Sequence, residues 1–153
     1  MLLHPRFEYL FVSADWFESD GQFKVITARH GNAVIESYAG TKPQLWTILP
    51  SGKIKNNGEE ETYLSYDANR HVRLFTSVSP STEWRIQEVG DFHGKVRLIP
   101  SSDRTVAVRC PYPSQYVDCE EPGIGHGSEW FLVDAKKYAV HLKSGGGLDV
   151  RMQ

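Results

Sequence analysis

A tryptophan opens a short apolar run at three separated places in this chain. "KPQLWTIL" surrounds Trp46, "STEWRIQ" surrounds Trp84 and "GSEWFLV" surrounds Trp130. The three are 38 and 46 residues apart. A small or polar residue (Gln44, Thr82, Ser128) stands two places before each, and a branched apolar residue (Ile48, Ile86, Leu132) two places after. A large ring that recurs at near-constant spacing implies related pieces whose rings share a core that no single piece could fill. The recurrence extends upstream: Val34 and Val72 stand twelve residues before their tryptophans, and Val117 stands thirteen before Trp130. Further upstream lie "FKVI", "YLSY" and "VAVR", and after the tryptophan runs come "GKIK", "GKVR" and "KKYAV". Each unit thus reads as four strands, with Trp opening the last.

The rest of the chain supports strands. Apolar runs of four to seven residues, rich in Val, Ile, Tyr and Phe, alternate with turn signals such as "HGN", "PSG", "NNG", "DAN" and "GDFHG". Helical periodicity is hard to find, and "YAVHL" near the C-terminus reads as one more strand. A propeller needs at least four blades and a longer chain. Three copies of four strands fit an all-β chain folded as a β-trefoil: about twelve short strands in three pseudo-repeats, half closing a barrel and half capping it. The expected domain is a single one over 1–153, with units at 6–49, 50–89 and 90–134 and a closing C-terminal extension at 135–153. "FEYLFVSADWF" then supplies the first strand or strands, with Trp16 on it or on a closing strand paired to the C-terminus.

Charge excludes some partners. Net charge is −2, with 17 Lys and Arg interspersed among 19 Asp and Glu. A nucleic-acid face or an anionic membrane surface would need clustered cations. No run approaches the ~20 apolar residues of a membrane-spanning helix. "MLLHPRFEYLFV" is broken by His4, Pro5, Arg6 and Glu8, so it reads poorly as a signal peptide and leaves the compartment open, cytoplasmic or non-classically secreted. Cys110 and Cys119, in "RCPYPSQYVDC", are close enough in sequence for a hairpin to bring them together. A disulfide and two unpaired, partly buried thiols are the two readings. No ligand spacing suggests a metal.

One family matches these residues. "GQFKVITARHGNAVIESYAGTKPQLWTILPSGKIKNNG" resembles the first subdomain of ricin B-type (QxW) lectin domains, in which a Gly-led strand, a "GNAVxxY"-like strand, "QxW" and "dGxIxxxG" follow in that order. "SGGGLDV" resembles the "SGxxLDV" turn of the same family. Over 59–134 only the strand pattern is shared, and Thr82 and Ser128 replace the Gln of QxW. The resemblance implies a carbohydrate-binding module without a cofactor. Its partners would be glycans or glycoproteins of galactose or N-acetylhexosamine type.

It also implies where sugars bind, since a shallow sugar site needs an aromatic platform with a few donors and acceptors. In the first unit Tyr38 is the platform and Gln44 the polar partner, with Asn32 nearby, although Lys24 or Val25 fills the expected Asp position. The second unit offers Asp67 and Asn69, with Phe75 on the next strand. The third offers Tyr116, Asp118 and His126. The competing reading makes Tyr38, Phe75 and Tyr116 part of a hairpin-cap core, and Asp67–Asn69 a simple turn.

Catalysis is not expected, because no GxSxG, HExxH, Walker or GxGxxG arrangement is present and the histidines scatter through turns. A different class remains. Fungal and plant trefoils include protease inhibitors that wedge a rigid loop into a cleft, and the loop 110–123, "CPYPSQYVDCEEPG", has that rigid character.

Overall fold

The computed structural model describes residues 3–58, 61–67, 69–89, 95–121 and 127–143, and of residues 140–143 the backbone only. Its strands are β1 (Tyr9–Ser13), β2 (Lys24–Arg29), β3 (Asn32–Ser37), β4 (Trp46–Ile48), β5 (Ile54–Asn56), β6 (Thr62–Tyr66), β7 (Val72–Phe75), β8 (Trp84–Glu88), β9 (Lys95–Pro100), β10 (Ala107–Arg109), β11 (Asp118–Glu120) and β12 (Trp130–Asp134). Two helices accompany them, α1 (Ala14–Asp20) and α2 (Ala135–Lys143).

The strands close on themselves. β1 pairs with β4, β4 with β5, β8 with β9, β9 with β12, and β12 with β1, all antiparallel. The remaining link, from β5 to β8, is the single bridge Lys53–Glu83, backed by the Trp84 N–H donating to the Gly52 carbonyl at 2.9 Å. Gly52 is required there: at φ +89° a Cβ would sit 2.7 Å from the Trp84 carbonyl oxygen. The other strands form hairpins, β2–β3, β6–β7 and β10–β11. Those hairpins touch one another through single bridges and cap the ring.

The three tryptophans explain the architecture. All are buried, and each indole N–H donates to a carbonyl on the first strand of the preceding hairpin. Trp46 reaches Ile26 O at 3.1 Å, Trp84 reaches Leu64 O at 2.7 Å, and Trp130 reaches Val108 O at 3.0 Å. Each ring therefore fills the barrel core and pins a hairpin to it, while its one polar atom is satisfied. Burial of each is worth about 2–3 kcal/mol by area.

β1 is buried along its whole length. Tyr9 and Phe11 join the barrel core, whereas Leu10 and Val12 join a second cluster with Phe23, Phe131, Val133 and Tyr138. Covering both faces explains why "YLFV" lacks the alternation of a half-exposed strand.

Two expectations are corrected, and one open choice is decided. Residues 14–20 form helix α1, not strand: Ser13 caps it by accepting the Trp16 N–H at 3.2 Å, and Gly21 ends it at φ +76°. "KKYAVHL" is likewise helical. The Asp134 carboxylate accepts the N–H groups of Lys136 and Lys137 at 3.0 and 3.1 Å, and Tyr138, three residues after Ala135, stacks on Phe23 with ring centroids 5.0 Å apart. Finally, Cys110 and Cys119 are free and buried, not bridged. In the β10–β11 register Cys119 faces Val108, so Cys110 lies on the diagonal. Diagonal neighbours stand about 7–8 Å apart, beyond the ~4.4–6.8 Å a disulfide spans between Cα atoms. The Cys110 thiol donates instead to the Ser114 carbonyl at 3.2 Å.

No helix among the described residues is long and apolar enough to cross a membrane.

Candidate functional site

The first unit's sugar pocket does not exist as the sequence implies it. Gln44 is wholly buried. Its amide oxygen accepts the Ala39 and Gly40 N–H groups at 2.8 and 3.2 Å, and its nitrogen donates to Ser37 O at 2.9 Å and Thr27 Oγ1 at 3.3 Å. Every bonding capacity of this amide is used in locking the loop before the tryptophan strand. Thr82, also buried, works similarly: its hydroxyl donates to Ser79 O and accepts the Ser79 N–H. In these two units the residue two places before Trp is thus a lock. Tyr38 is half-buried, edge-on to Phe23 and to Tyr138 at centroid distances of 5.5 and 5.3 Å, and desolvation pushes its phenol up. It belongs to the second apolar cluster.

Phe75, at the end of β7 opposite Tyr63, is exposed. His126 lies outside the described residues. Of the remaining five, Asn32, Asp67, Tyr116 and Asp118 meet at the hairpin cap, with Asn69 held against Asp67.

The meeting is cyclic. Asn32 bridges Arg73, His71 bridges Asp118, and Tyr116 bridges Val34, so each hairpin touches the next. Register shows that these positions correspond. The carbonyls that accept the indoles belong to Ile26, Leu64 and Val108, and their cross-hairpin partners are Ile35, Leu74 and Cys119. Three residues before each partner stand Asn32, His71 and Tyr116. All three are exposed, and Tyr116 is the most open large apolar side chain described, at 82%.

Charges around this ring are compensated. The Arg73 Nε lies 3.1 Å from Asp67 Oδ2, close enough for an ion pair though off the line of a hydrogen bond. Arg109 grips Asp118 with two N–H groups at 3.2 and 3.1 Å, and Arg70 meets Glu120 at 2.8 Å. Asp67 also accepts the Asn69 N–H at 2.9 Å, fixing the β6–β7 turn as the simple-turn reading expects.

Helix α1 holds the segment that carries Tyr116. The Asp15 carboxylate accepts the Tyr112 N–H at 2.6 Å, the Trp16 indole donates to Ser114 O at 3.0 Å, and the rings of Trp16 and Tyr112 meet edge-on at 4.9 Å. Ser114 Oγ in turn accepts the Tyr116 N–H at 3.1 Å.

Elsewhere, an apolar hollow of about 260 Å³ opens between Leu3, Pro5, the β4–β5 turn and Trp84. The two thiols are poor nucleophiles and metal ligands: burial pushes Cys110 up to about 12 and raises Cys119 further.

No protein-family model and no curated protein matches this chain. Solved structures do. An endo-β-galactosidase from Clostridium perfringens that releases GlcNAcα1-4Gal superposes over 83% of this chain at TM-score 0.64 and 16% identity. A mosquitocidal holotoxin superposes over 87% at TM-score 0.70 and 17% identity. The chain spans 32% and 18% of the lengths of those two proteins. The β-trefoil lectin of the Vibrio vulnificus hemolysin/cytolysin, solved with N-acetyl-D-lactosamine bound, matches over 82% of this chain and 93% of its own, at TM-score 0.59 and 10% identity. The fold is a β-trefoil.

Within the trefoil, sequence reasoning missed His71 and Arg73. A signal existed, since His71 directly precedes Val72, one of the residues that mark the repeat. It was hidden because the contact that gives it meaning crosses between hairpins.

Proposed function

We propose that this chain is a non-enzymatic carbohydrate-binding module of ricin B type, built of three four-strand units at 6–49, 50–89 and 90–134. The threefold recurrence of the buried indole bond supports the units. The observation that carries the function is Tyr116, an aromatic face 82% exposed on a backbone fixed by α1, among polar side chains whose charges are already paired. An aromatic ring that folding does not bury, set beside amide, imidazole and guanidinium groups, is what a shallow sugar site requires. The likeness to a lectin solved with N-acetyl-D-lactosamine agrees with it. A glycan array probed with the whole chain tests the reading. Retention on galactose- or N-acetylhexosamine-terminated glycans supports it, and a blank array refutes it.

One observation favours a second reading, protease inhibition through the loop 110–123. Residues 112–116 of that loop are tethered to α1 while Tyr112 stays 40% exposed, and preorganisation of this kind lowers the entropy of docking. Inhibition of papain or trypsin in the micromolar range, insensitive to free sugar, distinguishes it.

A further inference from the structure

The family resemblance implies one pocket per unit, on the flank of each. The geometry points to something else: a single composite saccharide site at the centre of the cap, where the three hairpins meet, with Tyr116 as its platform. This rests on the carbohydrate-binding reading above and specifies its site and its ligand.

The first unit's flank positions are used up. Gln44 spends its whole amide on the chain itself, and Tyr38 packs between Phe23 and Tyr138. At the cap centre the situation is reversed. Asn32, His71 and Tyr116 occupy corresponding register positions that packing leaves free. The chain places an amide, an imidazole and a phenol there, all exposed. Their bridge partners are Arg73, Asp118 and Val34. Donors, acceptors and one flat apolar face therefore stand where the three hairpins bridge one another, each supplied by a different hairpin.

The ligand class follows from charge. Arg73 is 3.1 Å from Asp67, and Asp118 is held by Arg109, so among the described residues the ring offers no uncompensated charge to recognise an acidic sugar. A neutral pyranose fits: its apolar face would stack on Tyr116, and its hydroxyls would meet Asn32 and His71. The site is shallow and centred on one ring, so each chain would take one terminal sugar. The α1 clip matters because it fixes the backbone of Tyr116 before the sugar arrives, and preorganisation of this kind raises affinity without a new contact.

The test is calorimetric titration of the whole chain with N-acetyl-D-lactosamine and with its sialylated form. The expected result is one saccharide per chain, no gain from the sialyl group, and a loss of roughly tenfold or more in Tyr116→Ala, about what removing one aromatic stack costs. Asn32→Ala should weaken binding less, Tyr116→Phe should retain most of it, and Phe75→Ala should leave it unchanged. Binding that survives Tyr116→Ala, or that fills three sites per chain, overturns the central site while leaving carbohydrate binding intact. No binding of either saccharide, together with a blank glycan array, overturns both.

Discussion

The barrel core and the cap surface treat corresponding positions in opposite ways. In the core, Trp46, Trp84 and Trp130 are the same residue making the same bond to a hairpin carbonyl. On the cap, Asn32, His71 and Tyr116 stand in equally corresponding register and share no chemistry. Packing explains the first pattern. A closed interior near crystal density accepts only matching volumes, and a buried indole must find an acceptor. Nothing in packing requires the second, because exposed positions tolerate almost any polar residue. What asks for a reason is the large aromatic face of Tyr116 left 82% open among them, and an aromatic ring that folding does not bury points to recognition. Stability should therefore reside in the repeated set and binding in the unlike set.

The largest effect that would break this contrast is expected in the core. Trp130→Ala removes a wholly buried ring and strands the Val108 carbonyl, and should cost about 3–5 kcal/mol, read from the urea unfolding midpoint. A cost under about 1 kcal/mol would mean that the indoles do not hold the barrel, since even a modest cavity exceeds that. Next comes Gln44→Ala, which leaves the Ala39 and Gly40 N–H groups without their acceptor and should cost about 1–3 kcal/mol. Its saccharide affinity should stay at the wild-type value, and a lost affinity with unchanged stability would return Gln44 to the binding site.

A smaller effect depends on pH. Burial raises the Cys110 thiol from 9.0 to about 12 and raises Cys119 in the same sense. Above pH 9 the unfolded chain releases thiol protons that the native chain keeps. The stability contributed by the protonated thiols is thus complete below pH 9 and declines as pH rises toward 12. Urea midpoints measured from pH 8 to pH 10.5 should fall with a slope that the double variant Cys110→Ala, Cys119→Ala flattens. The smallest effect is Tyr116→Ala on stability, within about 0.5 kcal/mol because the ring is exposed.

Much of the fold was legible in the sequence, and the failures have physical causes. Strand order followed from the tryptophan spacing because one buried ring per unit is a core requirement. Counting twelve residues back from Trp46 aligned Val34 with Val72, yet the register aligns Ala33 with Val72. Ala33 is buried, whereas Val34 meets Tyr116 on the cap. A slip of one residue turns a strand's faces over, and here it hid which side chains reach the surface. The helices were missed because their aromatic residues, Trp16 and Tyr138, weigh toward strand. Their caps at Ser13 and Asp134 were visible, as was Gly21 after α1. At the site, Asn32, Tyr116 and Asp118 were named as sugar-site candidates of two separate units, whereas the structure brings them to one cap. Gln44 misled because an amide looks the same in sequence whether it faces sugar or its own backbone. Only the bridges between hairpins, residue 32 to 73, 71 to 118 and 34 to 116, assemble the ring, and no local pattern encodes them.

Crystals soaked in N-acetyl-D-lactosamine provide the most direct measurement. One sugar stacked on Tyr116, with hydroxyls toward Asn32 and His71, is the predicted result. Density beside Tyr38 or Phe75 with the cap centre bare would contradict it.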